Sequence, residues 1–266
     1  MFLFAKKSLG QHFLNSKHVL EQIIESANIK KGELVLEIGP GTGILTEALL
    51  NTGAKVITVE KDDRAIELLR SKFQTSITKQ QLTLIHGDVL EDSSNCIPNE
   101  PYLIVANIPY YITGAILEKF LENDRKPNRM ILLVQKEVAD RITTKDDKES
   151  ILSISVKAFG TPKIVAKVPR GAFTPPPNVD SAILAIENIS DKLFKENNVQ
   201  ISSFFAVVKA GFAHKRKYTI SNLGEIMDKN KLAEIWNTLK IDPKIRSEKM
   251  TLENWINISK HLNRPN

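Results

Sequence analysis

The run Asn107-Ile108-Pro109-Tyr110 sets an amide, a peptide held ahead of a proline and a phenol ring in consecutive positions. Proline biases Ile108 to an extended conformation. Pro109 has no N–H of its own and stiffens the turn. An extended Asn-Ile-Pro aims the Asn107 amide oxygen and the Ile108 carbonyl at one point, and two converging acceptors suit an exocyclic –NH2. Tyr110 then offers a π-face to the base that carries it. An adenine N6 amine is a poor nucleophile because its lone pair is delocalised into the ring. Two acceptors draw it toward tetrahedral geometry, localise the lone pair and stabilise the positive charge that develops as a methyl group arrives. Taken alone, the same residues read equally well as a proline turn capping a strand.

Three other stretches supply what such chemistry requires. EIGPGTG (37–43) follows a strand-like run and opens a helical one. Gly39 and Gly41 let backbone amides approach a ligand at a helix N-terminus. Ile44 stands where a G-x-G-x-x-G pattern needs its third glycine, which counts against a dinucleotide pyrophosphate. Glu60 ends the next apolar run, 21 residues after Gly39, where a carboxylate can accept both hydroxyls of a ribose. Asp88, in HGDVL, ends the third and can accept from an adenine amine. Glycine loop, Glu and Asp at successive strand ends describe a site for adenosine bearing an amino-acid-like tail. S-adenosylmethionine fits, and its methyl group would leave at the edge where Asn107 stands. Alignment of donor and acceptor contributes up to roughly 7–11 kcal/mol. No general base is required, because a methylated ammonium loses its proton readily.

The elements that must hold these residues follow from periodicity. ELVLEI (33–38), KVITVE (55–60), LTLIHG (82–87), YLIVAN (102–107) and RMILLVQ (129–135) are apolar on both faces, as buried parallel strands are. ILTEALLNT (44–52), DRAIELLRSKF (63–73) and AILEKFLEN (115–123) carry helical i, i+3, i+4 spacing. This alternation predicts an α/β, doubly wound Rossmann-like sheet, with ligands at the C-terminal strand ends. After VPRGAFTPPPNVDSAILAIE (168–187), a polar stretch at 188–198 leads into helical patterns. We therefore expect a methyl-donor-binding domain over 1–189 and a small helical domain over 190–266. Residues 190–266 carry 14 Lys/Arg against 8 Asp/Glu, whereas residues 1–189 carry 23 of each. The whole excess of +6 thus lies in the last part of the chain, which reads as a solvated basic surface or as a nucleic-acid arm. Lys215, Arg216 and Lys217 form its densest cluster and fit phosphate contacts. A single cysteine, Cys96, and five scattered histidines argue for a reduced, metal-free, cytoplasmic protein. MFLFAKKSLGQHFL has too short an apolar run for a signal peptide, and no apolar run approaches the ~20 residues of a membrane span.

GQHFL (10–14), EIGPGTG, VEKDDR, GDVL, NIPYYIT, LLVQKEVADRI (132–142), VPRGAFTPPPNVDSAIL (168–184) and FAHKRKYTISNLG (212–224) occur in this order. Together they resemble the bacterial small-subunit rRNA adenine dimethyltransferases, the KsgA/RsmA family, over nearly the whole chain. The resemblance implies a class I S-adenosylmethionine methyltransferase fold, with cofactor contacts at His12, Leu14, Gly39, Glu60, Asp88 and Asn107. It implies that Tyr110 and Phe173 sandwich the target adenine. It also implies two methyl transfers to each of two adjacent adenines in the 3′-terminal hairpin loop of 16S rRNA. The expected partner is the small ribosomal subunit or an assembly intermediate, met by a monomer. His12 departs from the pattern, standing where the family often has Asn, and Ile108 replaces a common Leu. KESILSISVK (148–157) lacks the usual Tyr-Gly, and its Lys157 replaces a Gln. Two alternatives share these motifs: a large-subunit (23S) rRNA adenine methyltransferase, and a non-catalytic RNA-binding or assembly factor.

Overall fold

A computed structural model describes residues 4–6, 9–91, 96–144 and 148–262. A two-residue strand, β1 (Phe13–Leu14), leads into α1 (Lys17–Ala27), whose first turn is capped by the Ser16 hydroxyl accepting from Val19 N. The apolar runs then alternate with helices: β2 (Leu34–Ile38), α2 (Ile44–Asn51), β3 (Lys55–Glu60), α3 (Asp63–Lys72), α4 (Gln74–Thr78), β4 (Leu82–His86), β5 (Tyr102–Asn107), α5 (Thr113–Leu121), β6 (Met130–Gln135) and α6 (Lys136–Ile142). Next come α7 (Ile151–Phe159), β7 (Thr161–Val168), β8 (Phe173–Thr174) and β9 (Ser181–Glu187). The remainder is helical: α8 (Lys192–Asn197), α9 (Ile201–Gly211), α10 (Thr219–Leu223), α11 (Lys229–Leu239) and α12 (Leu252–Leu262).

The large sheet runs β4-β3-β2-β5-β6-β9-β7. Its first five strands are parallel, and β9 and β7 are antiparallel additions. The chain steps from β2 outward to β3 and β4, then returns to place β5 on the other side of β2. That reversal opens a crevice at the C-terminal strand ends, where ligands of such sheets bind. Alternation sends Val35, Val56, Leu103, Val105, Ile131, Leu133, Ile183 and Ala185 into one core with Val19 and Ile23 of α1. β9 is buried over nearly its whole length and lies inside the sheet, between β6 and β7. β1 and β8 form a separate two-stranded ladder, Phe13 opposite Thr174 and Leu14 opposite Phe173.

The chain divides into two compact units. One runs through Asp140 and resumes at Thr161–Ile189; the other joins Arg141–Gly160 to the chain from Ser190. One break falls at Ile189/Ser190, and α7 groups with the C-terminal helices rather than with the sheet. Packing explains this: the Phe159 ring lies 5.0 Å from Phe194 and 6.2 Å from Phe205, and Glu149 N donates to Glu248 O at 2.7 Å.

Candidate active site

The crevice holds a cavity of about 230 Å³, lined by the turns after β2, β3, β4 and β5 and by residues 9–14. Gly39 adopts φ +68°, and a Cβ built there would meet only the Asn107 carbonyl oxygen, at 4.0 Å. The absent side chain therefore leaves open space beside the sheet edge. Gly41 differs, because a Cβ there would lie 2.9 Å from the Phe13 ring. Its amide donates to Glu60 Oε2 at 3.1 Å, and the Asp62 amide donates to Glu60 Oε1 at 2.8 Å. Burial pushes the Glu60 carboxyl up, and these amides oppose the rise. A carboxylate offers about four acceptor positions, so two bonds leave capacity for ribose hydroxyls.

Asp88 accepts from Leu90 N through Oδ1 at 2.8 Å and from Lys61 Nζ through Oδ2 at 2.7 Å. Burial pushes its carboxyl up, but the Lys61 ammonium and the Leu90 amide outweigh that and hold it below the usual range. Asp88 is thus an ionised acceptor at the cavity edge. Gly39, Glu60, Asp88 and the amide of Asn107 consequently fit an adenosine with a polar tail. Among the described residues, no cluster of His, Cys, Asp or Glu could hold a metal ion, and no helix is long and apolar enough to cross a membrane.

Asn107, Ile108, Pro109 and Tyr110 all line the same cavity. Asn107 Nδ2 donates to the His12 carbonyl at 3.1 Å. That bond orients the amide and leaves Oδ1 with no hydrogen-bond partner among the described residues. The Tyr110 hydroxyl lies 2.6 Å from Ser181 Oγ, and the Tyr110 carbonyl accepts from Thr113 Oγ1 at 3.0 Å. Burial pushes the Tyr110 phenol up and Ser181 partly offsets it, so the ring is neutral.

His12 lines the cavity, and its ring lies near-parallel to Tyr110, with centroids 5.9 Å apart. Leu14 also lines the cavity, with its side chain buried in the core. Phe173 is the residue expected to form a base-stacking wall. It is 3% exposed, belongs to the hydrophobic core and is absent from the cavity lining. The reason is its pairing with Leu14, which places both side chains among the core residues.

Several neighbours escape a linear reading. Gln11 Nε2 donates to Asp62 Oδ2 at 3.1 Å, tying the segment before β1 to the end of β3. The Arg64 guanidinium, 2.6 Å from Asp62, holds that carboxyl well below the usual range. Glu37 is buried at the cavity floor; Thr46 Oγ1 donates to Oε2 at 2.6 Å, while Oε1 has no hydrogen-bond partner among the described residues. Burial pushes its carboxyl up to about 8. A motif signal for Glu37 existed, since it opens EIGPGTG. Lys61 and Ser181 lack one, because their partners Asp88 and Tyr110 are distant in the chain.

In the C-terminal unit, Lys215, Arg216 and Lys217 are exposed in the turn between α9 and α10. Asn222 Nδ2 braces that turn by donating to His214 O at 3.2 Å. Lys217 Nζ lies 3.6 Å from Glu225. Lys157 is committed internally, with its ammonium 2.5 Å from Glu149 and 3.0 Å from the Thr144 carbonyl.

The family described as "Ribosomal RNA adenine dimethylase" matches residues 3–264. A protein called ribosomal RNA small subunit methyltransferase A from Dehalococcoides mccartyi is 42% identical over 257 residues, covering 95% of this chain and 87% of its own. The protein of that name from Fusobacterium nucleatum is 40% identical over 258 residues, covering 96% of each chain. The crystal structure of a dimethyladenosine transferase from Plasmodium falciparum is similar with TM-score 0.79 and 26% identity, over 93% of this chain and 96% of that one. The 23S rRNA methyltransferase ErmE shares the fold, with TM-score 0.73 and 24% identity over 95% of this chain and 100% of that one.

Proposed function

The chain belongs to the ribosomal RNA adenine dimethylase family, and from that premise we propose that it dimethylates the N6 amines of two adjacent adenines in the 3′-terminal hairpin loop of 16S rRNA. The observation that carries this reading is the convergence of Gly39, Glu60, Asp88, Asn107 and Tyr110 on one cavity. Glu60 would hold the ribose and Asp88 the adenine amine of S-adenosylmethionine, with the tail beside Gly39. When bound, that cofactor supplies an electrophilic methyl group.

This chain's residues do the rest. The target base leaves its stack and lies against Tyr110. Its N6 amine donates to Asn107 Oδ1 and to the Ile108 carbonyl, which localises the lone pair and stabilises the developing charge. The His12 carbonyl keeps the Asn107 amide in the accepting orientation. After transfer the N6 proton passes to water, so the neutral Tyr110 need not act as a base. Lys215, Arg216 and Lys217 hold RNA phosphates, which position the substrate without reading its sequence. The enzyme acts in the cytoplasm, as a monomer, on the small subunit or an assembly intermediate.

The small-subunit reading is favoured over the large-subunit one by relatives 35–42% identical over nearly the full chain. Undermethylated small and large subunits, offered separately with a radiolabelled methyl donor, test it. N6-dimethyladenine is expected in the small-subunit RNA. Label confined to the large subunit, or none in either, would overturn the proposal.

A further inference from the structure

Resting on that reading, we infer that Gln11 and Asp62 are positioning residues for the methyl donor: their hydrogen bond latches residues 10–12 across the end of β2 and holds the donor in its cavity. Three consecutive residues reach both sides of the crevice. The Gly10 backbone packs on Tyr111, whose ring carbons would lie 3.2 Å from a Cβ built there. Gln11 Nε2 donates to Asp62 Oδ2 at 3.1 Å, just after β3. The His12 carbonyl accepts from Asn107 Nδ2 at 3.1 Å, at the end of β5. β2 lies between β3 and β5 in the sheet. A segment tied to both neighbours therefore crosses over the end of β2, where the glycine loop starts. Glu60 and Asp88 follow the strands on one side of β2 and Asn107 the strand on the other. A donor reaching from Glu60 and Asp88 to the methyl-transfer edge at Asn107 passes beneath that crossing.

The ties on the two sides differ in kind. Toward Asn107 the segment runs on into β1, whose ladder with β8 anchors it, and His12 Nδ1 donates to the Pro175 carbonyl at 2.8 Å. Toward β3 the tie is the Gln11 side chain, with the Lys6 ammonium 3.6 Å from Asp62 beside it. Both ends of the Gln11 amide are used, because Oε1 accepts from Lys6 N at 2.9 Å while Nε2 serves Asp62. Asp62 is built to receive it. Its side chain is buried, and Arg64 Nε and Nη2 donate to its two oxygens at 3.0 and 2.6 Å. The acceptor therefore stays charged, and a charge-assisted bond is stronger than a neutral one. The Asp62 amide meanwhile donates to Glu60 Oε1 at 2.8 Å. One residue thus sets both the carboxylate that takes the ribose and the latch that covers it. The latch opens for the donor to enter and for the spent cofactor to leave, so it acts on exchange and not on methyl transfer itself.

Gln11→Ala and Gln11→Met in the full chain test the assignment, Met keeping the length of the side chain without its donor. Asp62→Ser is the partner variant. Serine still caps α3, as Asp62 does by accepting from Arg64 N, but removes the carboxylate. The measurements are dissociation of tritiated S-adenosylmethionine chased with unlabelled cofactor, single-turnover methylation of small subunits at saturating donor, and hydrogen exchange over residues 9–14 without ligand. Dissociation should be roughly tenfold faster in each Gln11 variant, the lower end of what a hydrogen bond to a charged group is worth, and donor KM should rise with it. The single-turnover rate should stay within about twofold, and exchange over residues 9–14 should quicken. In the Asp62→Ser background, Gln11→Ala should change dissociation by less than about twofold. Unchanged dissociation in Gln11→Ala, a Met variant that behaves like the wild type, or additive effects in the double variant would each overturn the inference. So would an equal loss in the single-turnover rate, which would mark a distorted site rather than a latch. A wild type that binds no S-adenosylmethionine would sink the reading of the cavity and this inference with it. One that binds it but leaves small subunits unmethylated would sink only the reading of the RNA substrate.

Discussion

Glu37 sits at the floor of the cavity with one oxygen on Thr46 and the other without a hydrogen-bond partner among the described residues, and burial pushes its carboxyl up to about 8. In the unfolded chain the same group titrates near 4.5. Below the lower value both states hold the proton and folding carries no penalty. Between the two values the unfolded chain ionises while the folded one does not, so stability falls as pH rises. Above about 8 the loss is complete, because the folded protein then carries a buried carboxylate. Glu37→Gln removes the titration and keeps an acceptor for Thr46. Urea unfolding at pH 5 and pH 8 should show the variant gaining about 2–4 kcal/mol on the wild type between them. A gap independent of pH would exclude this account of Glu37. At this scale the site was partly legible in sequence. Glu60, Asp88 and Asn107 stood out because each lies at or just past the end of a strand of the same sheet. The hydrogen bonds of the His12 ring to Pro175 and of Tyr110 to Ser181 were not legible, because the partners lie 163 and 71 positions apart in the chain. The ladder that pairs Phe173 with Leu14 is only two residues long and so was invisible to periodicity.

The glycine loop between β2 and α2 looks uniform in sequence and is not uniform in the fold. At Gly39 a Cβ would stand in open space beside Asn107, whereas at Gly43 it would lie 2.6 Å from Phe73 and 2.7 Å from Leu69 of the buried core. Both residues have positive φ, +68° and +76°. An alanine at either therefore costs roughly 1–2 kcal/mol of backbone strain. Gly43→Ala adds overpacking of about 1–3 kcal/mol, because α2 must move off α3. Gly39→Ala instead fills the space where a ligand tail would lie. Denaturant midpoints should therefore drop further for Gly43→Ala, while calorimetry should show the greater loss of S-adenosylmethionine affinity for Gly39→Ala. Equal effects of both on both measurements would mean that the loop acts as one rigid unit. Among elements, β2, β3, β5 and β6 were legible because buried parallel strands are apolar on both faces. β7 was not: it is an edge strand, partly exposed along most of its length and carrying Pro162 near its start, as edges tolerate. α7 has a helical pattern, but only its packing on Phe194 and Phe205 shows which unit owns it.

Charge is the property that belongs to the whole molecule. The +6 excess falls entirely in residues 190–266, and the cavity lies in the unit whose sequence up to residue 189 is balanced. On the proposed function, affinity for a polyanion and chemistry on a base would be carried by different parts of the chain. Removing cations from the first should weaken binding without altering the chemical step. Lys215, Arg216 and Lys217 are exposed together in one turn. Each phosphate contact contributes about 0.7–0.9 to the slope of log K against log salt. Replacing all three by Ala should therefore flatten that slope for small-subunit RNA by about 2. Glu225 already competes for Lys217 at 3.6 Å, so Lys215 and Arg216 should account for most of the change. Single-turnover rates at saturating RNA should match the wild type, because none of the three lines the cavity. If the salt slope is unchanged while the fold is intact, the cluster is a solvated surface and the RNA is held elsewhere. If the saturated rate falls instead, the turn acts on the reacting base and not only on the backbone that carries it.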